Sequence, residues 1–174
     1  MKYFWILIIF SLLAMGCSNT APQAMTPTPN VGNSPQQIVT PPPTIEKANS
    51  AYVGKILAGN KTLYITFNTE DYQKATSDGK VILLYFYSDN NPTSKAEELT
   101  VFDAFNKMES IKMIGFKVHY DDPSTTDVET QLATTLGVKS AHTKIILKDG
   151  KVMWQYSSSL NADTYITQMS RFLT

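Results

Sequence analysis

The chain has 174 residues, in which 15 lysines and arginines are balanced by 15 aspartates and glutamates. A net charge of zero provides no basic surplus for nucleic acid, so we expect no nucleic-acid partner. The single cysteine excludes an internal disulfide, a cysteine-rich zinc site and a two-thiol redox centre within one chain. This length and a hydrophobic fraction of 43% fit one folded domain.

The N-terminus has the layout of a secretion signal. Lys2 precedes an apolar run over residues 3–15, which ends at Gly16 and Cys17. A helix over that run would rise only about 20 Å, short of the ~30 Å hydrocarbon core, so a permanent membrane span is not expected. Residues 13–17 resemble the lipobox of bacterial lipoproteins, in which the cysteine becomes the lipidated first residue of the mature chain.

The lipobox resemblance implies that residues 1–16 are removed as a signal peptide and that Cys17 carries acyl chains such as palmitate. It places the protein in the bacterial cell envelope, anchored to a membrane and facing the periplasm rather than the cytoplasm. Ser18 after the cysteine favours the outer membrane over the inner one. A plain signal peptide with a chance cysteine at the cut, or an uncleaved anchor, stays open.

Residues 17–49 are predicted to form a disordered tether. From Ser18 to Ile45 there is no charged residue, and seven prolines lie among threonine, asparagine, glutamine and serine. So few apolar side chains cannot offset an ordering entropy of about 1–2 kcal/mol per residue. An alternative is that this proline-rich run binds a partner. The folded domain is predicted to span residues 50–174.

The first half of the domain alternates between predicted strands and helices. A strand at 63–67 and a capped helix at 69–76 are followed by the Asp78-Gly79 turn. Residues 81–87 are all apolar or aromatic, which is typical of a strand covered on both faces. A helix is predicted over 95–108, with Leu99 on its apolar face. A strand follows at 113–120, and His119 is predicted on its polar side.

The second half continues the alternation. A helix is predicted over 127–136, with Gly137 as its left-handed cap. Asp149-Gly150 is expected to join strands at 144–147 and 152–156 into a hairpin. A closing helix is expected over 165–173. The resulting order, β-α-β-α-β-α-β-β-α, predicts an α/β sandwich with a mixed central sheet flanked by helices.

Two stretches of the chain resemble the thioredoxin family. Residues 79–88, followed by Asn91-Pro92-Thr93-Ser94-Lys95, are similar to its buried strand and its active-site loop, which reads Cys-Pro-x-Cys-Lys. Residues 136–138, 141–143 and 148–151 are similar to its segment before the fourth strand and to its hairpin turn. The match runs over about residues 63–173. It implies a thioredoxin-like three-layer sandwich in which His142 stands at the position of the family's cis-proline.

The same resemblance implies that the redox chemistry of the family is missing. Disulfide exchange requires two thiols, one to attack and one to resolve the mixed disulfide. The corresponding positions are Asn91 and Ser94. We therefore expect a redox-inactive domain that is not an enzyme and has no catalytic residues, metal or cofactor.

What the resemblance leaves is a groove in which the family receives an extended polypeptide. The groove predicts a protein-binding, chaperone-like or assembly role, with an unidentified envelope protein or peptide as partner. The alternative is an idle groove, with the function on another surface. The candidate groove residues are Asn91, Pro92, Thr93, Ser94, Ala141, His142 and Thr143.

A hydrolase is a further alternative from a different class. Ser94 as nucleophile, His142 as base and Asp89 as orienting acid would form a triad. No G-x-S-x-G elbow or other hydrolase motif accompanies them. His142 with Asp89 and Asn91 has no recognised metal-ligand spacing, so no metal site is predicted.

Overall fold

The computed structural model describes residues 51–174. The predicted signal peptide at 1–16, Cys17 and the predicted tether at 17–49 lie outside the described residues. Six strands and four helices follow one another along the described part of the chain. In chain order they are β1 (Ile56–Ala58), β2 (Leu63–Thr66), α1 (Thr69–Ser77), β3 (Val81–Tyr87), α2 (Pro92–Lys107), β4 (Met113–His119), α3 (Asp127–Thr135), β5 (Thr143–Lys148), β6 (Lys151–Tyr156) and α4 (Ala162–Ser170).

The strands form one mixed sheet in the order β1-β2-β4-β3-β5-β6. Strands β2, β4 and β3 are parallel, whereas β1, β5 and β6 each pair antiparallel with a neighbour. All seven residues of β3 are buried, as expected for a central strand covered on both faces. The predicted mixed sheet is confirmed. The sequence analysis did not predict the three-residue edge strand β1.

Helices cover both faces of the sheet and give it three layers. Side chains of α2 and α4 pack on one face together with Leu83 and Tyr85 of β3. Side chains of α1 and α3 pack on the other face, against the alternate residues Ile82 and Leu84. The central strand therefore belongs to two hydrophobic cores at once, because its side chains alternate between the faces.

The predicted turns are confirmed by backbone conformation. Gly137 ends α3 with φ of 67°, in the left-handed region. Asp149 and Gly150 have φ of 52° and 71°, as the two central residues of a type I′ hairpin turn require. These positions hold β5 and β6 in an antiparallel hairpin.

Helix α2 begins at Pro92, three residues before the predicted start, and Asn91 is its N-cap. The Asn91 side chain accepts a hydrogen bond from the Ser94 N–H at 2.9 Å. The buried face of α2 carries Ser94, Glu97, Val101, Ala104 and Phe105. The prediction for Leu99 is wrong, because this side chain is 71% exposed. A charged residue, Glu97, occupies a place that hydrophobic periodicity assigns to an apolar side chain.

The chain entering the domain is held by Asp71 in the first turn of α1. The Asp71 carboxylate accepts hydrogen bonds from the N–H groups of Val53 at 2.9 Å and Gly54 at 2.7 Å, and from the side chain of Asn68 at 2.6 Å. We call these three contacts the Asp71 clasp. Within residues 51–174, no helix combines the length and the apolar character needed to cross a bilayer.

Candidate functional site

Three loops meet at one end of the sheet, where β3 and β4 finish and β5 starts. Together they enclose a cleft of about 310 Å³. The lining consists of amide, hydroxyl and small side chains with one carboxylate and one ammonium group. The lining residues are Ser88, Asn90, Asn91, Tyr120, Asp121, Lys139, Ser140 and Ala141.

The cleft continues into a second hollow of about 690 Å³ beside α3. Asn90, Tyr120 and Asp121 line both hollows. The hollows therefore form one groove, which runs from the N-terminus of α2 across the end of β4 to α3. We call this surface the β3-end groove.

The predicted groove residues divide into accessible and buried ones. Asn91 and Ala141 line the cleft. Pro92 and Thr93 are exposed at the start of α2. Ser94, His142 and Thr143 are buried, with 0%, 5% and 1% exposure, so their side chains do not form a groove wall.

Two neighbouring residues at the cleft, Ala141 and His142, differ in the hydrogen bonding of their main-chain groups. The N–H of His142 donates to the carbonyl of Phe86 at 2.7 Å and so ties the segment before β5 to β3. The preceding Ala141 has no hydrogen bond from its N–H or C=O to any residue of the 51–174 region. This leaves a free main-chain donor and acceptor at the edge of the cleft.

Beneath the groove lies a buried cluster of polar side chains from three elements. Glu97 of α2 accepts hydrogen bonds from Lys144 Nζ of β5 at 3.2 Å and from Tyr165 Oη of α4 at 2.6 Å. It also accepts from the N–H of Leu160 at 3.0 Å, and Lys144 donates to the carbonyl of Ser158 at 2.7 Å. These contacts fasten α2, β5, α4 and the β6–α4 loop together.

His142 is the fourth member of this buried cluster and has a positive φ of 71°. Its Nδ1 lies 3.2 Å from the carbonyl oxygen of Ser157, and its Nε2 contacts Glu97 and lies 3.3 Å from Lys144 Nζ. Burial and the nearby Lys144 ammonium lower the pKa of His142, while the Glu97 carboxylate acts in the opposite direction. Because the Ser157 carbonyl can only accept, a hydrogen bond between it and Nδ1 requires the proton on that nitrogen.

This geometry gives no support to a hydrolytic triad. Both ring nitrogens of His142 face groups other than Ser94. The Ser94 Oγ is buried without a hydrogen-bond partner in the described region, and Asp89 accepts from the Tyr87 hydroxyl at 3.0 Å. Ser94, His142 and Asp89 therefore do not share a hydrogen-bonded chain.

Neither Glu97 nor Lys144 was predicted from the sequence as part of a site. A signal for Lys144 was present, because it directly precedes the apolar run of residues 145–147 in β5. Lys144 is completely buried, so it requires a buried anionic partner. Nothing in the sequence identifies Glu97 as that partner, since the two residues are 47 positions apart.

A second missed group closes the loop after β4. Asp122 accepts hydrogen bonds from the N–H groups of Asp89 and Ser124 and lies 3.1 Å from Nδ1 of His119. Partial burial raises the pKa of Asp122, but the hydrogen bonds outweigh that effect and the pKa is lowered. Asp89, His119 and Asp122 place their ligand atoms within 4.8 Å of one another. Because the Asp122 carboxylate already accepts main-chain hydrogen bonds, we assign the group to loop closure.

Comparison with known proteins supports the fold. No protein-family model and no curated protein matches the chain. Among solved structures it is similar to a mutant thioredoxin from Halobacterium salinarum, with 19% identity and a TM-score of 0.50 over 69% of this chain and 97% of that one. Thioredoxin from Aeropyrum pernix has 12% identity and a TM-score of 0.51 over 71% and 97%. Oxidized thioredoxin O2 from Arabidopsis thaliana has 13% identity and a TM-score of 0.51 over 67% of this chain and 100% of that one. The domain has a thioredoxin-like α/β fold.

The lowered pKa of His142 predicts a pH-dependent stability. The unfolded chain protonates this residue near its ordinary pKa of about 6.5, whereas the folded chain does so only at lower pH. The stabilisation is therefore complete above about pH 6.5 and is lost as the pH falls through the lower folded pKa. Urea denaturation at successive pH values, followed by circular dichroism, should show this decline.

His142→Gln should remove the decline between about pH 7 and pH 5, before most carboxylates titrate. His119→Gln is the matched comparison, because it removes the other histidine of the chain. An unchanged decline in His142→Gln would show that another group is responsible.

Proposed function

We propose that this chain is a lipoprotein of the bacterial cell envelope, anchored through Cys17, whose thioredoxin-like domain is a protein-binding module without disulfide-exchange activity. The observation that carries the proposal is the β3-end groove, with the free main-chain groups of Ala141 at its edge. The anchor and the tether rest on the sequence pattern of residues 1–49.

A groove of this kind suits an extended peptide. Main-chain hydrogen bonds to Ala141 would supply affinity that does not depend on the peptide's sequence. Asp121 and Lys139 line the same cleft with opposite charges, and the remaining lining is uncharged. We therefore assign the groove to peptide segments of low net charge.

The two positions that the resemblance aligns with the thiols of the thioredoxin family serve other purposes here. Asn91 uses its side chain to cap α2, and Ser94 is buried beneath the groove. An amide and a buried hydroxyl cannot exchange disulfides. This supports a role in binding or assembly rather than in catalysis.

Photo-crosslinking from position 141 tests this role. A photoreactive amino acid in place of Ala141 should give a discrete protein adduct in native envelopes. The same probe in place of Val152 should not, because β6 starts at the opposite end of the sheet. Cys17→Ala should release the chain from the membrane fraction, which reports the proposed anchor separately.

Asn90→Trp is the blocking variant, because Asn90 is exposed and lines both parts of the groove. It should abolish the adduct from position 141, whereas Leu99→Trp on the exposed side of α2 should leave it unchanged. Equal adducts from positions 141 and 152, or an adduct that survives Asn90→Trp, would contradict peptide binding in the groove.

A further inference from the structure

The end of the sheet opposite the β3-end groove has a hollow of its own, of about 380 Å³. It lies where β3 and β4 begin and β5 finishes. Its apolar lining comes from Val81, Ile111, Phe172 and Leu173, and three lysines line it as well. The lysines are Lys80, Lys112 and Lys148.

The three lysines form no ion pair with an acidic side chain in the described part of the chain, although the Asp78 carboxylate interacts electrostatically with Lys80. Lys80 Nζ donates to the carbonyl of Ile111 at 2.6 Å, and Lys148 Nζ donates to the main-chain oxygens of Phe172 at 3.0 Å and Thr174 at 2.9 Å. Asp78 lines the same hollow, but Lys74 pairs with it at 3.1 Å.

Apolar surface accompanies this charge. Ile111 is 72% exposed at the rim, beside Lys112 in the chain. Leu173 and Phe172 are partly buried in the same hollow. An exposed aliphatic side chain at a hollow that is also lined by lysines matches the boundary of a bilayer, where anionic headgroups border acyl chains. A soluble anion would use the lysines but not Ile111.

We propose that this basic hollow is a docking surface for a membrane that contains anionic phospholipids. The inference rests on the proposed anchor, because a tethered domain remains close to the bilayer. A linker with the length of residues 17–49 has a root-mean-square span of about 30 Å, comparable with the domain itself, so it allows this end to reach the surface. Docking directs the β3-end groove away from the bilayer, across the length of β3.

Photo-crosslinking to lipid tests the docking surface. The full chain, with a photoreactive amino acid at Ile111, is incorporated into vesicles of phosphatidylcholine alone or mixed with phosphatidylglycerol. Position 111 should form lipid adducts about tenfold more often in the mixed vesicles, and high salt should remove the difference. The same probe at Ala141 should form few lipid adducts in either.

Charge reversal supplies the matched controls. Lys80→Glu with Lys112→Glu should lower the position-111 adduct at least tenfold, because each lysine near an anionic surface strengthens association about fivefold. Lys55→Glu with Lys95→Glu, two exposed lysines at the other end of the sheet, should leave it unchanged. Equal adducts from positions 111 and 141, or no effect of phosphatidylglycerol, would overturn the proposal.

Flotation of the vesicles keeps the two proposals apart. Chain that fails to float with phosphatidylcholine vesicles contradicts the anchor at Cys17. In that case the docking surface is tested with excess mixed vesicles, by comparing the lipid adducts from positions 111 and 141. More adducts from position 111 support docking, and equal adducts contradict it. Chain that floats but shows no preference for position 111 contradicts the docking surface alone.

Discussion

Replacing Glu97 by alanine should lower the free energy of unfolding by about 3–5 kcal/mol, because the substitution leaves the buried Lys144 ammonium without its counter-charge. Lys144 is completely buried, and Glu97 is 4% exposed. The Tyr165 hydroxyl and the Leu160 N–H would also lose their acceptor. Urea denaturation of the full chain, followed by circular dichroism, measures the loss.

Two variants show whether the loss comes from the buried charge. Asp103→Ala breaks the ion pair with Lys107, in which both side chains are about half exposed, and should leave the free energy of unfolding nearly unchanged. Glu97→Leu combined with Lys144→Met removes both buried charges and should recover the part of the stability that is lost through the unpaired ammonium, although the Tyr165 hydroxyl and the Leu160 N–H still lack their acceptor. If Glu97→Ala were as mild as Asp103→Ala, the buried cluster would not stabilise the domain.

Gly115→Ala should lower the free energy of unfolding by about 1–3 kcal/mol through overpacking. Gly115 lies in β4 between Tyr64 of β2 and Leu83 of β3. A Cβ atom at this position would come within 2.8 Å of a ring carbon of Tyr64 and would also overlap the ring of Phe105. The two rings are stacked with centroids 5.1 Å apart, so neither can withdraw freely. Urea denaturation followed by circular dichroism measures this loss as well.

Phe105→Leu provides the internal control for Gly115→Ala. The smaller side chain makes room for the new methyl group, although it reduces stability by itself. The double variant should therefore lose less stability than the sum of the two single losses. Simple additivity would show that the ring of Phe105 is not the obstacle.

The order of the elements after β1 could be predicted because each of them has a local signal. The uninterrupted apolar run of β3, the Asp149-Gly150 turn and the Gly137 cap are visible without knowledge of the fold. Strand β1 has no such signal, since three residues cannot show an alternation. It exists because β2 offers an open edge, and only the folded chain contains that edge.

The buried face of α2 shows where periodicity fails. Leu99 fits a hydrophobic stripe by spacing, yet Glu97 is turned inward because Lys144, Tyr165 and Leu160 satisfy it there. A long-range partner thus decides which face is buried. Likewise, the family resemblance assigned His142 to the cis-proline position but did not predict that its side chain is buried. A buried imidazole requires hydrogen-bond partners, whereas a proline side chain requires none.

The Asp71 clasp determines how the domain would respond to mechanical load. Tension applied to the chain ahead of residue 51 reaches the fold at Tyr52, whose hydroxyl lies 3.4 Å from Asp78, and then at the N–H groups of Val53 and Gly54, which are bonded to Asp71. Those contacts bear the load before the β1–β2 ladder does, because they precede β1 in the chain. The Asp71 clasp therefore resists a pull transmitted along the chain before that pull reaches the hydrogen bonds at the edge of the sheet.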